Sequence, residues 1–186
     1  DQVNMPIVSF DRFLSDKIPI VSSDNLNGGK LATQYLIDQG AKRIAIITDD
    51  DDSKSPTSLR AIGALNPIHK ANVQAEEFAF PDAHFTEEKK SEELKDLLSG
   101  NKFDGIFANN DTTALQINKI IKENNFKKIP VVGYDGTAFV RLYLTDIATI
   151  VQPISQIADA LIDLLFKRIE KPDIHFANPP LLPVEL

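Results

Sequence analysis

Short apolar runs alternate along this chain with stretches of helical period. Arg43-Ile-Ala-Ile-Ile-Thr48 is an almost unbroken apolar run, the pattern of a strand covered on both faces of a parallel sheet. Pro6–Phe10 and Ile18–Ser22 read as two shorter extended pieces ahead of it. Between them and Arg43, Leu31, Ala32, Tyr35 and Leu36 recur at helical spacing, predicting a helix from Asn25 to Gln39 that Asp24 caps and Gly40 stops. Ser55-Pro56 opens a helix carrying Leu59, Ile62 and Leu65, which Pro67 is expected to end or kink. A strand closes at Phe78–Phe80, and Thr86 caps a helix with Glu87 and Glu88 in its first turn. Phe103–Ala108 is a strand, and Asp111 starts a helix with Ala114, Ile117 and Ile121. Ile129–Gly133 and Ala148–Gln152 are strands separated by an irregular stretch. Pro153 then opens the clearest amphipathic helix, with Ile154, Ile157, Leu161, Leu165 and Ile169 on one side. The apolar end, Leu181–Leu186, reads as a last strand.

Strands separated by helices form βαβ units, so the fold class is α/β with a doubly wound parallel sheet. The change of pattern at Thr48–Ser53 reads as a crossover between two lobes, with a second crossing near Gln152.

Composition narrows the function. The chain has 186 residues, of which 42% are hydrophobic and 25% charged, with 11 Phe to fill a core. It has no Cys, which excludes disulfides and thiolate chemistry. A net charge of -7 and no basic cluster argue against a nucleic-acid surface within these residues. No apolar run is long enough for a membrane span, and DQVNMPIVSF does not read as a secretory leader. The opening on a strand without an initiator Met reads as the start of an internal fragment.

Ligands of open α/β sheets bind beyond the carboxyl ends of the strands. Those ends carry Asp11 and Arg12, then Asp82, His84 and Phe85, then Asn109, Asn110 and Asp111, then Tyr134 and Asp135, and finally Gln152; Arg60 stands on the helix after Asp49–Asp52. Planar polar groups with an aromatic suit a sugar: paired hydroxyls take bidentate hydrogen bonds, and an aromatic face covers the apolar side of a ring. Ordinary roles compete for several of these residues. Helix capping explains Asp24 and competes with a cleft role for Asp111, Asn109-Asn110 can be turn residues, and Asp49–Asp52 reads as a solvated loop. Gly28-Gly29 and Gly133 resemble pieces of phosphate loops, but no complete nucleotide-binding motif is present. The His residues lack metal-ligand spacing, and no catalytic signature occurs, so neither cofactor, metal nor catalytic residue is expected.

Several segments, in order, resemble the LacI/GalR family of bacterial repressors. They are Pro6-Ile-Val-Ser-Phe-Asp-Arg12, Ser22–Ile37 with Gly40–Ala45, Phe103-Asp-Gly-Ile-Phe-Ala-Asn-Asn-Asp-Thr-Thr-Ala-Leu115, Ile129-Pro-Val-Val-Gly-Tyr-Asp135, Thr149-Ile-Val-Gln-Pro-Ile154 and Leu182-Pro-Val-Glu-Leu186. The resemblance implies a two-lobed fold of the type I periplasmic binding protein kind with an effector in the cleft. It implies effector contacts at Arg60, Asn110, Asp135 and Gln152, with Phe85 near the cleft aromatic; Asp11 joins these candidates by its place after the first strand. Asn27 falls where some members place an acid, and Arg60-Ala-Ile-Gly63-Ala64 departs from the usual R-x-x-G-[FY]. The expected division assigns 1–49 and 153–172 to an incomplete N-terminal lobe and 50–152 with 173–186 to the C-terminal lobe. The implied partners are a small-molecule effector, by its chemistry a sugar, operator DNA through a headpiece absent here, and a second copy in a homodimer. The implied location is the cytoplasm. A periplasmic sugar receptor for transport or chemotaxis is the alternative, and a receiver-like phosphoryl acceptor lacks the Lys it needs at a later strand end.

Overall fold

A computed structural model describes residues 5–49, 55–81, 86–144, 146–172 and 176–186, which form seven strands and six helices. In chain order they are β1 (Ser9–Phe10), β2 (Ile20–Val21), α1 (Asn25–Asp38), β3 (Arg43–Thr48), α2 (Pro56–Ala71), β4 (Gln74–Ala79), α3 (Glu87–Ser99), β5 (Gly105–Ala108), α4 (Asp111–Glu123), β6 (Val131–Asp135), α5 (Ala138–Tyr143), β7 (Ile147–Val151) and α6 (Ile154–Glu170).

Local chemistry sets most of the boundaries. Asp24, Ser55 and Thr86 each accept a backbone N–H of the first turn, from Asn27, Ser58 and Lys89 respectively. Helix α4 is capped by Asn110, which accepts from Thr113 N, and not by Asp111 as its sequence position suggests. Pro67 neither ends α2 nor starts a new element: Ala64, Pro67 and Ile68 are all buried, and their packing offsets the hydrogen bond that proline removes. The stretch read as irregular after Gly133 contains α5, too short to show a helical period.

The large unit is a five-stranded, all-parallel sheet of order β4-β3-β5-β6-β7. Helices cover both faces. Ile44, Ile46, Phe107 and Val132 point into one core with Leu36, Ala61 and Ile68 of α1 and α2. Ala45, Ile47, Ile106 and Val131 point into the other with Leu94 and Leu98 of α3 and Ile117 of α4. Burial on both faces explains why β3 reads as a continuous apolar run instead of an alternating one.

The small unit is the parallel pair β1–β2 with α6 packed on it around Val21, Ile157 and Leu164. The chain end makes isolated bridges in place of the expected strand, Ser23 with Leu182 and Val151 with Glu185, and so ties the two units together.

The lobe crossover does not lie at Thr48–Ser53. Strand β3 is hydrogen-bonded to β4 on one side and β5 on the other, so 43–48 belongs to the large sheet, and α1 packs on that sheet's face. A sheet has no room for a lobe boundary between two of its paired strands. The change to an acidic run marks the end of a central strand, which an apolar pattern alone does not distinguish from the end of a lobe.

Candidate functional site

The strand order reverses at β3: the chain moves outward from β3 to β4, then crosses back to β5 and on to β6 and β7. That reversal opens a crevice at the carboxyl ends of β3 and β5. The residues beyond the strand ends therefore determine what the molecule can bind.

Arg60 is placed by a close helix contact. A Cβ on Gly29 of α1 would stand 1.8 Å from the Arg60 carbonyl oxygen, and one on Gly63 of α2 would stand 2.0 Å from that of Leu26. Only glycine at both positions lets the two backbones approach this far. The glycines that resembled phosphate-loop fragments thus serve packing: Gly29 faces α2, and Gly28 lies against the Tyr134 hydroxyl. Arg60 is then almost wholly buried, its side chain 6% exposed. Its Nε donates to Asn25 Oδ1 at 2.8 Å and its Nη1 to the Asn109 carbonyl at 2.6 Å. Its guanidinium carbon lies 3.7 Å from the centre of the Tyr134 ring, a cation–π contact, and Nη1 is 3.5 Å from Asp135 Oδ1.

Asp135 ends β6 with φ of 110°, a conformation that favours glycine. Its Oδ1 also accepts from Gln152 Nε2 at 2.9 Å. Gln152, beyond β7, accepts from Ser23 Oγ at 2.9 Å, so the chain of contacts passes from the large unit into the small one. There Asp11, again at positive φ (56°), accepts from Ser22 Oγ at 2.5 Å and Ser23 N at 3.3 Å. Arg60, Asp135, Gln152, Ser23 and Asp11 thus form one polar ridge across both units.

Burial pushes the Asp135 carboxyl above its ordinary value, more strongly than Arg60 and the Gln152 hydrogen bond pull it down. Burial also lifts the Tyr134 hydroxyl to about 12, although Arg60 beside it acts to lower it. Ser23 lies close to the Tyr134 hydroxyl without completing a hydrogen bond, its own proton being given to Gln152. Asn109 Nδ2 is likewise buried without a partner.

Of the residues singled out in the sequence, Arg60, Asp135, Gln152 and Asp11 come together. Asn110 stands at the next strand end, but its amide is turned toward Asp49 and the start of α4. Phe85, His84 and Asp50–Asp52 lie outside the described residues. Asp49 is not solvated: its carboxylate accepts from Lys90 Nζ at 2.5 Å, and both side chains are largely buried. Asp111 is a brace below the ridge, its carboxylate accepting from Thr137 N at 2.7 Å and from the hydroxyls of Thr137 and Thr149 at 2.6 Å. The sequence marks Tyr134 at its strand end without assigning it a role, and it does not single out Asn25 or Ser23. The Gly-Tyr-Asp motif held a signal for Tyr134; Asn25 and Ser23 had none beyond their place near a helix start.

The profile of the periplasmic binding protein-like domain matches residues 33–186. The chain is 40% identical over 184 residues to the sucrose operon repressor of Lactococcus lactis subsp. lactis, covering 99% of this chain and 57% of that protein. It is 32% identical over 176 residues to the ribose operon repressor of Halalkalibacterium halodurans, covering 92% of this chain and 52% of that protein. The chain therefore spans about half the length of the curated relatives it matches. Among solved structures it is similar to a periplasmic binding protein/LacI transcriptional regulator from Alkaliphilus metalliredigens complexed with D-xylulofuranose. That match has a TM-score of 0.81 at 26% identity, over 97% of this chain and 68% of the other.

Proposed function

The chain belongs to the periplasmic binding protein-like domain family, in the form carried by LacI/GalR-type regulators, and on that premise we propose that it is the effector-sensing module of a sugar-operon repressor. The ridge from Arg60 through Asp135, Gln152 and Ser23 to Asp11 carries this reading, because it runs across both units at the carboxyl edge of the sheet. A polyol bound there exchanges its hydroxyl hydrogen bonds for those that now join the units. It thereby shifts the balance between open and closed arrangements. DNA-binding heads elsewhere in the regulator read that shift as a change in operator affinity.

The proposed effector is a neutral sugar. Among the described residues, the buried cations Arg60 and Lys90 are already matched by Asp135 and Asp49, which leaves neither of them unmatched for a phosphate. Relatives named for sucrose and ribose operons agree in ligand class and make sucrose and ribose the first probes. The role is binding without catalysis, in the cytoplasm, with a second copy of the regulator as partner. Among the described residues no helix is long and apolar enough to cross a membrane.

Calorimetric titration of the chain with each sugar tests this reading. Arg60→Ala is expected to weaken binding by about 1–3 kcal/mol through lost hydrogen bonds to a buried polar ligand. Unchanged affinity in Arg60→Ala places the site elsewhere. In a regulator carrying this chain behind a DNA-binding headpiece, sugar binding without a change in operator affinity contradicts the regulatory reading.

A further inference from the structure

We propose that Asp49, charge-balanced by buried Lys90, is a positioning residue that fixes the side-chain amide of Asn110 at the crevice between β3 and β5. The consequence for ligand binding rests on the sugar-sensing reading above; the positioning itself does not.

Asp49 is the first residue beyond β3, and Asn110 follows β5 by two, so they face each other where the strand order reverses. Asp49 Oδ2 accepts from Asn110 Nδ2. Asp49 Oδ1 accepts from Lys90 Nζ at 2.5 Å, with Thr113 Oγ1 at 3.4 Å. Lys90 arrives from α3 with its side chain 8% exposed, and also donates to Thr113 Oγ1 at 3.0 Å. A buried ion pair gains little over apolar residues of the same volume, so packing alone does not call for one here. Its distinctive effect is directional. An amide side chain flips easily, because its oxygen and nitrogen have nearly the same shape. Asp49 accepts and cannot donate when ionised, so it selects the Nδ2 end of Asn110. Thr113 N, donating to Asn110 Oδ1 at 2.7 Å, selects the other end. The remaining N–H of Asn110 reaches Asn109 Oδ1 only at 3.3 Å, a long contact that a ligand hydroxyl can replace. Asn110 is thereby set to donate to the ligand, not to accept from it. Lys90 holds the other oxygen of Asp49 and balances its charge, which leaves the carboxylate placed as the acceptor of that pair.

Two readouts on the full chain test this. The first uses the side-chain NH2 signals of Asn110 in ligand-free protein, followed by 15N–1H NMR. In the wild type they are expected to be held apart and slow to exchange with water, and in Asp49→Asn to collapse to the values of a free amide. A wild-type Asn110 amide that exchanges freely overturns the proposal without any variant. The second is the affinity for sucrose, with ribose as the alternative probe. Asp49→Asn and Asn110→Ala are each expected to weaken binding about tenfold, the scale of a hydrogen bond involving a charged partner. Their combination is expected to be no weaker than Asn110→Ala alone. Effects that multiply in the double variant overturn the proposal, since a general loss of structure at Asp49 does not depend on Asn110. If the wild type binds neither sugar, the sugar reading fails and the NMR signals still decide the positioning.

Discussion

At residue scale Asp135 combines conflicting demands. It sits at a φ that disfavours any side chain, its carboxyl is pushed up by burial, and it anchors both Arg60 and Gln152. Residues kept in place against their own stability are expected where the chemistry of binding needs them. The sign of the pH dependence follows from the raised pKa. Asp135 is relatively favourable to folding below its unfolded value of 3.8, where it is protonated in both states, and becomes a cost as pH rises through its higher folded value. Asp135→Asn is therefore expected to gain thermal stability relative to the wild type at neutral pH, the gain vanishing only as pH falls below the unfolded value of 3.8, while it binds sugar more weakly. Thermal melts of both proteins across this range check it, and a gain that persists unchanged at low pH contradicts it. Arg60, Asp135, Gln152 and Asp11 were legible because strand ends and motif order mark them. Their partners were not: Arg60 meets Asn25 across 35 residues, Lys90 meets Asp49 across 41, and Ser23 meets Gln152 across 129. No local pattern encodes contacts at such separations.

At the scale of elements, the contact between α1 and α2 controls the position of Arg60. Gly29 and Gly63 each lie against the opposite helix backbone, which cannot retreat as a side-chain tip can. Gly63→Ala is expected to force the helices apart, destabilising the chain by about 1–3 kcal/mol, and to lower sugar affinity by moving Arg60 away from Asp135. Denaturant melts and a sugar titration measure both effects, and an unchanged affinity would show that Arg60 does not depend on this contact. The elements themselves were readable wherever caps and periodicity coincide, as at Ser55-Pro56 and Thr86. The errors have physical causes. Pro67 is overridden by tertiary packing, α5 is too short to show a period, and a buried central strand looks the same whichever sheet owns it.

At the scale of the whole molecule the two units are unequal. The large one has an aromatic and aliphatic core on each face of its sheet, whereas the small one has a core of few residues. The small unit also leaves Phe13, Leu14, Ile162, Phe166 and Ile169 more than half exposed. That much apolar surface favours association. The chain by itself is expected to melt at a temperature that depends on concentration, or to sediment as more than a monomer; a concentration-independent melt with monomeric sedimentation contradicts this. With a net charge of -7, the chain is not expected to hold DNA by itself. In the proposed function a sugar sits at the carboxyl edge of the sheet, on the ridge joining the two units. The most direct test is 15N–1H NMR of the chain during titration with sucrose and then ribose. Binding on the ridge predicts the largest shifts at the amides of Asp11, Ser23, Arg60, Asp135 and Gln152. Shifts concentrated instead at the opposite edge of the sheet, around Asn118, Lys122 and Phe126, would contradict it.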